Sequence, residues 1–136
     1  MINYVKKRRL MAGLFCVALA VFLTGCGDKD GSSSATGPVV YTVDGSWSGT
    51  TSQSQAISFT VASNAVTYLK IKISFGSGGS VETTVWPNSC PVANNSFTLT
   101  SSGTTTLTVK GSFTSNTAAN GTFEYGSTTG TWTARR

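Results

Sequence analysis

Leu69-Lys70-Ile71-Lys72-Ile73-Ser74-Phe75 alternates apolar and polar side chains without a break. In an extended chain successive side chains point to opposite faces, so Leu69, Ile71, Ile73 and Phe75 share one face and Lys70, Lys72 and Ser74 the other. The stretch predicts a strand with one face in a core and one in water. The same period continues on both sides of it. Tyr41, Val43 and Trp47 precede it, then Ile57, Phe59 and Val61; Val81 and Val85 follow, then Phe97 and Leu99. Leu107, Val109 and Phe113, then Phe123 and Tyr125, then Trp132 and Ala134 complete eight candidate strands. No stretch after Val39 shows a helical period.

Clusters of Gly, Ser and Asn separate the strands at Ser52 to Ser54, Ser63-Asn64, Gly76 to Gly79, Ser101 to Gly103, Ser115 to Asn120 and Gly126 to Thr129. Connections this short favour sequential antiparallel strands. Eight strands in one meander are about the number that closes a small barrel, which removes exposed sheet edges. A two-sheet sandwich explains the same pattern and is the alternative. Only Pro87 to Asn95 is longer than a hairpin loop, and it carries two prolines and Cys90. Binding tends to reside on such loops, so Asn88 and Cys90 are candidate contact residues.

Gly45-Ser46-Trp47, Gly111-Ser112-Phe113, Gly121-Thr122-Phe123 and Gly130-Thr131-Trp132 all read glycine, hydroxyl residue, aromatic. Glycine and ring share a face. A glycine leaves a gap in the pleat where the strand bends, and a ring from the next strand can cover it. Core packing is therefore expected of these rings. Lining of a ligand cavity is the alternative, as in lipocalin-like and avidin-like barrels, which similar Gly-x-Trp openings resemble; it would make the domain a carrier of a small apolar ligand.

In the hairpin from Lys70 to Trp86, keeping Ile71, Ile73 and Phe75 on the face of Val81, Thr83 and Val85 sets Lys70 opposite Trp86 and Lys72 diagonal to Glu82. An outward Trp86 beside Lys70 is a cation–π pair or a stacking platform for a sugar or peptide. Lys70 and Trp86 thus join the candidate contact residues.

The start of the chain has a different composition. Lys6, Lys7, Arg8 and Arg9 precede an apolar run from Leu10 to Leu23, the length of a signal core rather than of a membrane span. The run ends in Leu23-Thr24-Gly25-Cys26, which resembles the lipobox of bacterial lipoproteins. That resemblance implies cleavage after Gly25 and a diacylglycerol thioether on Cys26, with residues 1–25 removed as a signal peptide. Two or three acyl chains anchor a protein durably where one is marginal. Gly27, rather than Asp, after the lipidated cysteine implies the outer rather than the inner membrane. Residues 27–38 hold no aliphatic or aromatic side chain beyond one alanine and one proline, and read as a flexible linker spanning roughly 20 Å. The β domain is then residues 39–136.

The cut changes the charge. The full chain carries a net charge of +5, but after residue 25 six basic residues face five acidic ones, a net charge of +1. No basic footprint for nucleic acid remains. Cys90 becomes the lone cysteine of the domain, either buried as a small hydrophobe, which is favoured, or held for an intermolecular partner. The chain contains no histidine, so Ser-His-Asp and Cys-His nucleophiles and the usual zinc ligation are closed to it. Asp44, Glu82 and Glu124 stand in separate elements with no acidic companion. No catalytic residue, cofactor or metal is expected.

Ser and Thr supply 40 of the 111 residues that follow Gly25, so the domain solvates itself with hydroxyls rather than charge. From Gly45-Ser46-Trp47-Ser48-Gly49-Thr50 through Ile57-Ser58-Phe59-Thr60-Val61 to Gly130-Thr131-Trp132-Thr133-Ala134-Arg135, it resembles small Ser/Thr-rich β domains of exported bacterial proteins. That resemblance carries no activity across, and the second cysteine it implies near the last strand is missing. The expectation is a non-catalytic, lipid-anchored envelope protein that meets the membrane through Cys26 and a protein or glycan partner through its β domain.

Overall fold

The computed structural model describes residues 37–136; the expected signal segment, Cys26 and most of the linker lie outside the described residues. Eight strands follow in order: β1 (Gly45–Thr51), β2 (Ala56–Ala62), β3 (Ala65–Ser74), β4 (Ser80–Val85), β5 (Ser96–Ser101), β6 (Leu107–Phe113), β7 (Ala118–Tyr125) and β8 (Thr128–Arg135). All pairings are antiparallel, in one sheet ordered β4-β3-β2-β1-β8-β7-β6-β5. β1 pairs with β2 on one side and β8 on the other, so the two ends of the meander meet and the sheet curls into a nearly closed barrel. The meander barrel, not the sandwich, is the architecture.

The gap in the barrel lies between β4 and β5, the two consecutive strands that do not pair. They are joined by the long loop rather than a hairpin. Val81, Thr83 and Val85, the inward residues of β4, are accordingly half-buried, whereas Leu69, Ile71 and Ile73 of β3 are fully buried. The loop is tied to the start of β3: Val66 N–H donates to Cys90 O, and Val92 N–H to Asn64 O, at 2.8 and 2.9 Å.

Turn chemistry sets the registers. Ser63 and Asn64 both hold positive φ (51° and 59°), the conformation of the two-residue turn whose twist matches its strands. Two connections are tighter than expected. Ala118 to Asn120 belong to β7, and Tyr125 pairs with Thr128, leaving Gly126 (φ 60°) and Ser127 as the loop. A third correction concerns Tyr41 and Val43, which precede β1 and are not in a strand. Val43 is nevertheless buried, and its carbonyl accepts the Trp47 indole N–H at 2.9 Å. These residues cross the end of the barrel because Tyr41 N–H and Thr42 N–H are held by the side chains of Asn95 and Asn116.

Aromatic rings fill the bore. Phe59 of β2 lies 5.6 Å from Phe97 of β5 and 5.5 Å from Trp132 of β8, centroid to centroid; Trp47 of β1 lies 5.0 Å from Phe113 of β6. Side chains from opposite walls are thus in contact, at the spacing of tilted and edge-to-face pairs. The glycine repeats explain how rings of this size fit. Phe97 pairs with Gly111, Trp132 with Gly121 and Phe123 with Gly130. A Cβ on any of these glycines would fall 2.3, 2.7 or 2.5 Å from that ring. Each ring occupies the space its cross-strand glycine leaves, as the core-packing expectation requires.

Candidate functional site

Of the four expected contact residues, three are exposed or partly exposed and one is not. Lys70 and Trp86 stand on the outer side of the wall made by β2, β3 and β4, and Asn88 is exposed in the long loop. Cys90 is 2 % exposed and belongs to the core, so it is removed from the contact surface. Its thiol lies 3.5 Å from Thr98 O, and burial pushes its pKa up. A protonated, shielded thiol is a poor nucleophile.

Lys70 does not face Trp86. β3 and β4 pair Leu69 with Val85, Lys70 with Thr84, Ile71 with Thr83, Lys72 with Glu82 and Ile73 with Val81, two residues away from the expected register. The cause is the loop. Phe75 N–H donates to Gly79 O at 2.8 Å, closing a three-residue turn over Gly76, Ser77 and Gly78, with Gly78 at φ 88°. The expected register centres the turn on Gly78, one residue later than the observed centre at Ser77.

This shift gives each side chain another neighbour. Lys70 Nζ forms an ion pair with Glu82 Oε1 at 2.9 Å, diagonally across the strands. The hydrogen bond to Glu82 and then its charge raise the pKa of Lys70. Trp86 packs on Tyr68, with ring centroids 4.6 Å apart and planes at 57°. Tyr68, whose outward position sequence reasoning passed over, is the residue that orients the exposed indole. Ala56, Ser58, Lys70 and Glu82 line a shallow depression of about 180 Å³ on the same wall.

A second cleft, of about 400 Å³, lies over β1, β8 and β7. Ser48, Thr50, Asn120, Thr133 and Arg135 bound it, and these side chains point outward. It is broad and open, with no exposed ring.

Two of the three acidic residues among the described ones, Asp44 and Glu82, have structural partners. Asp44 accepts the backbone N–H groups of Ser63 and Asn64 at 2.9 and 3.0 Å, capping the β2–β3 turn. Glu82 is paired with Lys70. Glu124 is exposed on β7 opposite Thr108 and Thr129. Among the described residues, no group of three or more His, Cys, Asp or Glu is placed to hold a metal ion. Arg136 lies over Trp47 at 5.8 Å and donates to Asp44 O, closing the barrel end rather than presenting a free cation.

No protein-family model, curated protein or solved structure matches the chain.

Proposed function

We propose that the chain is a lipid-anchored lipoprotein of the bacterial envelope whose β domain binds a partner and catalyses nothing. The observation that carries the anchor is Leu23-Thr24-Gly25-Cys26 at the end of an apolar run preceded by Lys6 to Arg9. Lipid on Cys26 places the domain at the membrane, residues 27–38 give it reach, and Gly27 favours the outer membrane. Non-catalytic binding is supported by the roles of the acidic side chains, with Asp44 spent on a turn and Glu82 on Lys70. The rings that meet across the bore favour an external binding face over carriage of a small apolar ligand inside.

The test is metabolic labelling with a clickable palmitate analogue in cells making the full chain, followed by separation of the two membranes. Label on the wild type, its loss in Cys26→Ser and accumulation of the uncut precursor are expected. Processing of Cys26→Ser to the same mature length would overturn the anchor.

A further inference from the structure

Among the described residues every Phe and every Trp but one is buried or half-buried; Trp86 alone keeps a large ring in water, 72 % exposed. Exposure does not leave it loose. Tyr68 packs against one side of the indole and fixes its direction. Along the outer face of β4 the next positions are Thr84 and then Glu82, and Lys70 and Ser58 lie beside them on β3 and β2. From Trp86 to Glu82 the face extends about 13 Å, four residues of extended chain.

We propose that this face binds a neutral polysaccharide, with one sugar ring stacked on Trp86 and the hydroxyls of its neighbours bonded to Thr84, Ser58, Lys70 and Glu82. A pyranose has an apolar C–H face and a rim of hydroxyls that both donate and accept. It therefore calls for an aromatic plane next to mixed donors and acceptors. Lys70 only donates, the Glu82 carboxylate only accepts, and Ser58 and Thr84 do both. Glu82 is paired with Lys70, and Lys72, opposite Glu82 on β3, is the one further cation of the face; a single unopposed charge is too few for nucleic acid, whose run of phosphates needs several. An apolar peptide groove would need further hydrophobic neighbours, and those of Trp86 on this wall are Tyr68 and polar side chains. The length of the face exceeds one sugar ring, so oligosaccharides bind better than monosaccharides.

This proposal rests on the reading of the domain as a binding module and is independent of the anchor, which the palmitate label reports separately. The test uses the full-length protein in detergent micelles with cellohexaose, chitohexaose, xylohexaose and maltohexaose as probes. Calorimetry gives the affinity, and acrylamide quenching of tryptophan emission reports the site, because Trp47 and Trp132 are each 1 % exposed and the quenchable indole is Trp86. At least one hexasaccharide is expected to bind, to shift the emission to the blue and to protect it from acrylamide. Trp86→Ala should weaken that binding about tenfold or more, the worth of one aromatic contact. Trp86→Tyr should restore part of it, and Thr122→Ala on β7 should leave it unchanged. Failure of all four sugars to bind, or equal binding by Trp86→Ala, overturns the proposal. So does a protein partner that is held through Trp86 while no sugar binds.

Discussion

Replacing Gly111 by alanine tests whether the ring-over-glycine pairs hold the barrel in shape. The added Cβ would lie 2.3 Å from Phe97 Cε1 and 2.9 Å from Trp132 Cζ2. A free ring would swing aside. Phe97 is wedged among Phe59, Phe113 and Trp132, with centroids 5.6 to 6.2 Å away, so it has nowhere to go without disturbing the bore. Overpacking of this kind costs about 1–3 kcal/mol. Gly→Ala also restricts the unfolded chain, which returns about 0.4–1 kcal/mol. The net expectation is a loss of about 1–2 kcal/mol, read from urea denaturation followed by circular dichroism. Gly103→Ala is the control, since its Cβ would meet nothing nearer than Thr105 O at 3.8 Å; it should be neutral or slightly stabilising. The decisive comparison is a double-mutant cycle with Phe97→Leu. If the ring is the obstacle, Gly111→Ala costs at least about 1 kcal/mol less once the ring is gone. Additive effects would refute the reasoning and assign the cost to strand curvature alone.

Asp44→Ala removes the acceptor of two turn amides and should lower stability by about 1–2 kcal/mol in the same assay, with Asp44→Asn losing less because one oxygen remains. Cys90 should resist Ellman's reagent at pH 8 in the folded protein and react at once in denaturant; rapid native labelling would show that it is not core. Because burial raises its pKa, the folded state favours the protonated thiol. That contribution is complete below the ordinary thiol range and is lost as the pH rises from there through the raised value of the folded thiol, so Cys90→Ala should flatten the alkaline fall in stability. Asn95→Ala frees both Tyr41 N–H and Val39 O, and should make residues 39–43 the first site of limited proteolysis.

Most inward residues of the eight strands were legible in the sequence because the alternation is strong and each connection but one is hairpin-short; Val66, which the register shift at Thr60 and Val61 puts on the core face out of step with Leu69, was not, nor were Thr51 and Ala119. Closure was legible too, through the number of strands. The position of the gap was less so. It depends on what happens after Val85, where Trp86 and Pro87 end β4 and the following loop bonds to the start of β3 instead of returning as a hairpin. Tyr41 and Val43 show the limit of periodicity. Their alternation is real and Val43 is buried, yet their backbone N–H and C=O groups are used by Asn95 and Trp47 rather than by a neighbouring strand.

The face of Lys70 and Trp86 shows a sharper limit. Sliding β4 by one residue along β3 would turn Val81 and Val85 outward, and the hydrophobic pattern forbids it. Sliding it by two keeps every side chain on its own face, so the pattern cannot distinguish Lys70 opposite Trp86 from Lys70 opposite Thr84. Only the loop decides, and Gly76-Ser77-Gly78-Gly79 offers glycines for more than one closure. The observed three-residue closure moves Trp86 from a cation to Tyr68 and moves Glu82 into reach of Lys70. A cation–π pair would have consumed the indole face. Its absence leaves an oriented ring open to water beside the Lys70–Glu82 pair, and it is on this ring that the proposed sugar site rests.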